Sequence, residues 1–414
     1  MRVCRGPHRS PNTGECHEYE EVRGVAVSAE LHLELHLRGR VVSAGYPFED
    51  GVVTVSGERI TAVRSFTDWK AQRPYSPTPL PVGTLLPGLV DMHNHGGGGH
   101  GFDTLDAEEA TAAAEYHHAL GTTTILASIV SAPADEMVEQ VAMLRELAAV
   151  GMIGGIHVEG PFLADTRCGA HDRRHLLAPD PRLTSRLLDA AGGHLRVMTL
   201  APELPGFDTV ARMLADRGAV VALGHSEADF DAFSKALRPN GFATSVTHVG
   251  NGMPPIHHRA SGAGAAALTA ASRGQIVVEL IGDGVHVDAG FGTMVFAVAE
   301  DQIALVTDAM RAAGMPDGRY RLGAREMEVG GGVARTEDGA IAGGTSHLLQ
   351  GVSWAVRECG VSLAEAVRAA SLTPAIALGL TEVGDLCPGR YADVLVVDDE
   401  LGLRRVLRRG RWLS

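Results

Sequence analysis

Lysine is almost missing from this chain: Lys70 and Lys235 are the only two in 414 residues. No basic run stands out, and the formal charge is −14, which argues against nucleic acid or an anionic membrane as a partner. An anionic small molecule would need local Arg and His to offset that field. Cysteine is scarce too. Cys4, Cys16, Cys168, Cys359 and Cys387 are scattered and odd in number, with no Cys-x-x-Cys, which excludes a disulfide framework and a thiolate zinc site. Cys168 falls in a glycine-containing loop, where it reads as a small residue before it reads as a reactive thiol. No apolar run reaches the roughly 18 residues that a bilayer-spanning helix needs. No charged-then-apolar leader opens the chain. These absences predict a cytoplasmic protein without a membrane partner.

What is present is a chain 45% hydrophobic, enough for one large core and a smaller one. Residues 1–30 mix Pro, Gly, His and charge without periodicity and read as a flexible extension. From Leu31 the alternation of "LHLELHLRGRVV", then "GVVTVSGERITAV", reads as half-exposed strands. "GRYADVLVVDDELGLRRVLRRGRWL" near the C-terminus has the same pattern. Segments 31–84 and 380–414 are therefore expected to build one small β-sandwich domain from both chain ends.

The middle, 85–379, alternates short apolar runs with Ala/Leu-rich helical stretches. The runs are Leu89–Met92, Thr123–Ala127, Ile153–Val158, Leu195–Leu200, Ala219–Leu223, Ala243–Thr247, Gln275–Ile281 and Ile303–Thr307. Eight strand-then-helix units predict an α/β fold, a (β/α)8 TIM-like barrel, with a doubly wound open sheet as the runner-up. In a barrel the C-terminal strand ends converge on one mouth.

Those ends carry polar side chains. The first run leads into "DMHNHGGGG", where His93 and His95, two apart, share one face of an extended segment. The third ends in Glu159, the fifth reaches His225, the sixth His248 and the eighth Asp308. A lone carboxylate closing a buried strand is costly unless something pairs with it. Six ligand-competent side chains, one after another at strand ends, predict a divalent metal centre. Oxygen and nitrogen donors without thiolate suit Zn, Fe or another borderline ion. Such a centre supports hydrolysis: it lowers the pKa of a water and polarises a carbonyl. A neighbouring carboxylate moves the proton, and Asp308 is the best placed.

These residues resemble the amidohydrolase superfamily. "HVEGPF", "RCGAH", "GHSEA", "THVGNGMPP", "DGVHV", "LVTDAM" and "AIAGGTS", with the tail "GDLCPGRYADVLVVD", more closely resemble N-acetylglucosamine-6-phosphate deacetylases, from about residue 35 to the end and in the same order. The resemblance implies hydrolysis of the acetamide of N-acetylglucosamine 6-phosphate, in amino-sugar catabolism and cell-wall recycling. It implies that Glu159, His225 and His248 hold the main metal, and that Asp308 is the general base and then acid. Ala170 and His171 would meet the substrate, His171 near the acetamide carbonyl. Asn251, Gly252 and His286 would contact the sugar-phosphate region. Arg259 would reach into a neighbouring subunit's site, making the enzyme a homodimer, and Ile341, Ala342 and Gly343 would line the sugar pocket. Independently of the resemblance, Arg259 carries a donor fork suited to phosphate.

Family members vary at the first-strand motif. Both His93 and His95 are present here, so one or two ions per subunit are expected, zinc foremost. Gly250 and Gly252 stand where bulkier residues are common. His117 and His118 end a helical stretch and are expected to be solvated. Amidohydrolases of the cyclic-amidase and dihydroorotase type bridge two metals with a carboxylated lysine at a strand end. Neither Lys70, before the barrel, nor Lys235, in a helical stretch beyond the fifth strand, can serve, so Glu159 takes that place. An N-acetylgalactosamine 6-phosphate substrate, another cyclic or linear amide, and a barrel without catalysis are the alternatives.

Overall fold

The structure, a computed structural model, describes residues 34–414. The expected extension over 1–30, and the first three residues of the alternating segment from Leu31, lie outside the described residues.

Eight parallel strands follow one another around a barrel: Leu89–Asp91, Thr122–Ile129, Gly155–Glu159, Leu195–Leu200, Val220–Leu223, Ser245–Val246, Val277–Ile281 and Ile303–Val306. Each overlaps its apolar run, because a strand buried on both faces reads as an unbroken apolar segment. Helices from Ala107–Ala119 to Ala289–Ala299 follow the first seven strands. The helix after the eighth, Leu348–Arg357, is preceded by an inserted three-stranded sheet within 318–335. The ring closes between the first and eighth strands just beyond their C-terminal ends. There Asp308 N–H donates to the His93 carbonyl (2.9 Å) and His95 N–H to that of Ala309 (2.7 Å). Closure therefore sets the backbone of three expected site residues side by side.

The barrel interior is apolar low down, where Val90, Leu126, Val197, Ala222 and Ala304 pack together. Above them lies a polar layer. His157 bonds Ser128 Oγ and Thr199 Oγ1, each at 2.9 Å, and Thr199 bonds Thr247 at 2.8 Å. The mouth sits on this layer.

The chain ends supply a separate seven-stranded sheet. Its strands are Leu35–Val41, Phe48–Ser56, Arg59–Ser65, Pro81–Pro87, Val394–Val397, Leu403–Arg408 and Arg411–Trp412, around a core that includes Leu37, Val53, Leu85 and Val396. Pro81–Pro87 straddles the expected boundary at 84/85. Arg408 ties this sheet to the barrel by donating to the carbonyls of Thr123 (3.0 Å) and Gly151 (2.8 Å).

The expectation for His117 and His118 is corrected. Both are buried. The helix end lies beneath the loop after the first strand, where His117 Nε2 donates to the Gly96 carbonyl at 2.9 Å. The two nitrogens of His118 face the carbonyls of Thr122 and Met152.

Candidate metal centre and active site

The six strand-end side chains converge. Glu159 is central and buried. Its Oε1 lies 3.0 Å from His225 Nε2 and 3.1 Å from His248 Nε2, and these two nitrogens are 3.1 Å apart. Its Oε2 lies 3.2 Å from His95 Nε2 and 3.5 Å from His93 Nε2. Asp308 Oδ1 is 3.2 and 3.3 Å from the same two nitrogens, which are themselves 3.1 Å apart. The first-strand pair gains its common direction beyond the strand rather than within it. The strand stops at Asp91, and Asn94 pins the bend by donating to Asp91 (3.1 Å) and Thr307 (2.9 Å) while accepting from Gly96 N–H (2.9 Å).

The donor set fits a cation. Two Nε2–H groups only 3.1 Å apart would set their protons against each other, a conflict that a shared cation removes. His225 Nδ1 lies 2.7 Å from the Arg167 carbonyl, His95 Nδ1 3.2 Å from that of Ser128, and His93 Nδ1 2.9 Å from the Glu279 carboxylate. Each partner is an acceptor, so each Nδ1 is the donor, and in the neutral ring the Nε2 lone pair is left to face the carboxylates. Burial disfavours charge on His93, His95, His225, Glu159 and Asp308, yet their mutual attraction outweighs it. Glu159 and Asp308 are held below the usual carboxylate range, and His95 is raised to about 9. A site that holds protons this firmly between carboxylates also draws a divalent ion, which competes with them. His225, His248 and Asp308 all take positive φ (48°, 28° and 48°), a conformation that costs an ordinary residue about 1–2 kcal/mol. Strain of this kind concentrates at functional sites.

His171 differs from these ligands. Its Nδ1 accepts from the Ser131 backbone N–H at 3.2 Å, which leaves the neutral ring's proton on Nε2. That nitrogen is 3.3 Å from Glu159 Oε2 and opens onto the same cavity. It offers a hydrogen-bond donor where the neutral His93, His95 and His225 rings offer lone pairs.

A cavity of about 270 Å3 stands over the cluster. His95, Glu159, His225, His248 and Asp308 line it, as do Ala170, His171, Asn251, Gly252, His286, Ile341 and Gly343. Asn251 Nδ2 is a buried donor with no partner among the described residues. His286 is held by Asp283, whose Oδ2 accepts from Nδ1 at 2.7 Å. Glycine is required at 250 and 252, where φ is +93° and +61°. A Cβ on either would come to 3.0 Å, from Phe291 and from His225 Nδ1 respectively.

Two expected residues lie elsewhere. The Ala342 side chain is fully buried behind the wall, among Val130, Met310, Leu322 and Met327. Arg259 is exposed on the loop after the sixth strand, stacked in sequence with the exposed His257 and His258, and does not line this chain's cavity. Sequence reasoning missed Glu279, His157 and Asn94, all fully buried beneath or beside the ligands. The only linear signal for Glu279 is a carboxylate inside "VVELI".

A closed barrel whose mouth gathers four histidines and two carboxylates defines a metal-dependent hydrolase. The sequence profile described as the amidohydrolase family matches residues 278–412. An N-acetylglucosamine-6-phosphate deacetylase of Vibrio furnissii is 33% identical over 93% of this chain and 96% of its own length. An N-acetylgalactosamine-6-phosphate deacetylase of Escherichia coli O157:H7 is 34% identical over 82% and 90%. The crystal structure of N-acetyl-D-glucosamine-6-phosphate deacetylase from Mycobacterium smegmatis superposes with a TM-score of 0.85 at 36% identity, covering 92% of this chain and all of that one. A mutant of the same enzyme in complex with N-acetyl-D-glucosamine-6-phosphate gives 0.86. The chain belongs to the N-acetylglucosamine-6-phosphate deacetylase family of amidohydrolases.

Proposed function

We propose that this enzyme hydrolyses the acetamide of N-acetylglucosamine 6-phosphate to glucosamine 6-phosphate and acetate. The observation that carries the reading is the convergence of His225, His248, His93, His95 and Asp308 on the two oxygens of Glu159, at the floor of a cavity that also holds His171 and Asn251. Glu159, His225 and His248 would hold one divalent ion, zinc or iron. His93, His95 and Asp308, with the other Glu159 oxygen, would hold a second. A bound ion supplies an acidified water and a polarised carbonyl.

The chain's own groups do the rest. Asp308 takes the proton of the attacking water and returns it to the nitrogen as the C–N bond breaks, so the amine leaves neutral. His171 Nε2–H donates to the acetamide oxygen as negative charge gathers there. Asn251 Nδ2 donates to the sugar-phosphate portion, His286 stands beside it, and Ile341 and Gly343 border the sugar.

The phosphate falls to Arg259 of a second copy. Arg259 is exposed on the segment 254–260, which also exposes Ile256, and the neighbouring 285–298 exposes Val285, Met294 and Val298. Exposed apolar side chains near an exposed guanidinium, held among the described residues only by its neighbour His258 (Nη1 to Nε2, 2.8 Å), suit a symmetric dimer that lends the arginine across its interface. A cytoplasmic setting accords with Cys168, Cys359 and Cys387 being free thiols.

The test is acetate release from N-acetylglucosamine 6-phosphate, from the unphosphorylated sugar and from N-acetylgalactosamine 6-phosphate, before and after chelation. Chelator-sensitive release from the gluco-phosphate, restored by Zn or Fe, is expected. Faster release from the galacto-phosphate would shift the substrate to the one named in the Escherichia coli relative. No release from any of the three would overturn the reading.

A further inference from the structure

Glu279 sits in the middle of the seventh barrel strand, Val277–Ile281, and is fully buried. It does not line the cavity. Its Oε1 has no hydrogen-bond partner among the described residues. A buried polar atom without a partner costs on the order of 1–3 kcal/mol, and more where charged. An apolar residue would suit this strand better. What sets Glu279 apart is its other oxygen. Oε2 accepts from His93 Nδ1 at 2.9 Å and from the His248 backbone N–H at 3.2 Å. One atom thus grips a residue from each half of the cluster around Glu159.

The grip on His93 has a chemical consequence. A neutral imidazole carries one proton, on either nitrogen. With Nδ1 donating to Glu279, Nε2 is left as a lone pair, 3.3 Å from Asp308 Oδ1 and 3.5 Å from Glu159 Oε2. Without Glu279 the better arrangement would reverse. The proton would move to Nε2 and hydrogen-bond to Asp308 or Glu159, and the ring would become a donor where a ligand is needed. The ring also cannot swing away, because His157 packs edge-on beneath it at 4.5 Å between centroids.

We infer that Glu279 is a positioning residue that fixes His93 as the Nδ1–H tautomer, builds the cation position formed by His93, His95 and Asp308, and ties it through the His248 N–H to the position formed by His225 and His248. The inference rests on the cation-centre reading above. Carboxylates that orient a ligating histidine typically change metal affinity about 10–100-fold when removed.

The experiment reads metal, not turnover. Wild type, Glu279→Gln and Glu279→Leu are purified as full chains and titrated with Zn(II) against competing chelators, with metal per subunit counted by elemental analysis. Thermal melting confirms that each is folded. Wild type is expected to bind two ions. Glu279→Leu should bind one of them about 100-fold more weakly and Glu279→Gln about 10-fold, while the other ion stays within about threefold. His93→Ala should lose the same ion. Equal affinity for both ions in a folded Glu279→Gln would overturn the inference, and this variant keeps the volume and so decides the matter if Glu279→Leu does not fold. A wild type whose single ion is unaffected by His93→Ala would overturn it as well. A wild type that binds no ion and releases no acetate would instead bring down the reading on which the inference rests.

Discussion

The backbone N–H of Ser131 donates to Nδ1 of His171 over 3.2 Å, and the Ser131 hydroxyl stands 3.0 Å from the same atom. Because a backbone N–H can only donate, the neutral His171 ring carries its proton on Nε2, the nitrogen that faces the cavity. Its tautomer suits an oxyanion donor, unlike those of His93, His95 and His225, whose Nδ1 atoms donate to acceptors. His171→Gln is therefore expected to lower kcat by about 10²–10³, as loss of one such donor does elsewhere, with a smaller change in KM. Metal content should stay at the wild-type level. Steady-state kinetics with elemental analysis checks this; a His171→Gln enzyme that lost its metal would make the ring a ligand.

Asp308→Asn is expected to keep the fold and lose turnover by about 10²–10⁴, the range of general acid–base catalysis. Asp308 also borders the second cation position, so rates must be compared at equal metal content. Near-normal turnover in a metal-replete variant would remove Asp308 from the proton path.

Arg259 acts from the neighbouring subunit in the proposed arrangement. Arg259→Ala should raise KM for the phosphorylated sugar and leave the unphosphorylated one unaffected. At a phosphorylated-sugar concentration far below the raised KM of Arg259→Ala, mixing Arg259→Ala with inactive Asp308→Asn subunits should restore part of the activity, since the mixed dimer contains one site with both residues. Subunit exchange without rescue would place the phosphate contact within one chain.

Acid should destabilise the fold through His117. Burial lowers this imidazole from an ordinary 6.5 to about 4. Above pH 6.5 it is neutral folded and unfolded, and contributes no pH dependence. Between 6.5 and 4 the unfolded chain takes up a proton that the folded chain refuses, so stability falls with acid, by about 3 kcal/mol in all for a shift of this size. Below 4 the effect levels off. Urea unfolding at pH 7 and pH 5 should show a shallower loss in His117→Gln than in wild type; an unchanged loss would assign the effect to other groups.

Much of this site was legible in the chain because its signals are local. An apolar run that ends in Glu159, His225, His248 or Asp308 declares both a strand and its mouth-facing end within a few residues. The Gly-rich stretch after His95 likewise marks a sharp turn. Arg259 and Ala342 show the limit. Ile341 and Gly343 line the cavity, but packing behind the wall takes the Ala342 side chain between them, and the loop that begins with Asn251 and Gly252 at the cavity carries Arg259 outward.

The sequence by itself determined the eight strands, the six converging side chains and the class of chemistry, since each depends on periodicity or on a side chain's place at the end of a run. Only the tertiary structure decided which nitrogen of His93, His171 and His225 bears the proton. That choice rests on partners distant in the chain: Glu279 for His93, 186 residues away, Ser131 for His171, and Arg167 for His225. A tautomer is set by a distance of about 3 Å to one acceptor or donor, and residues far apart in sequence acquire such distances only when the barrel closes.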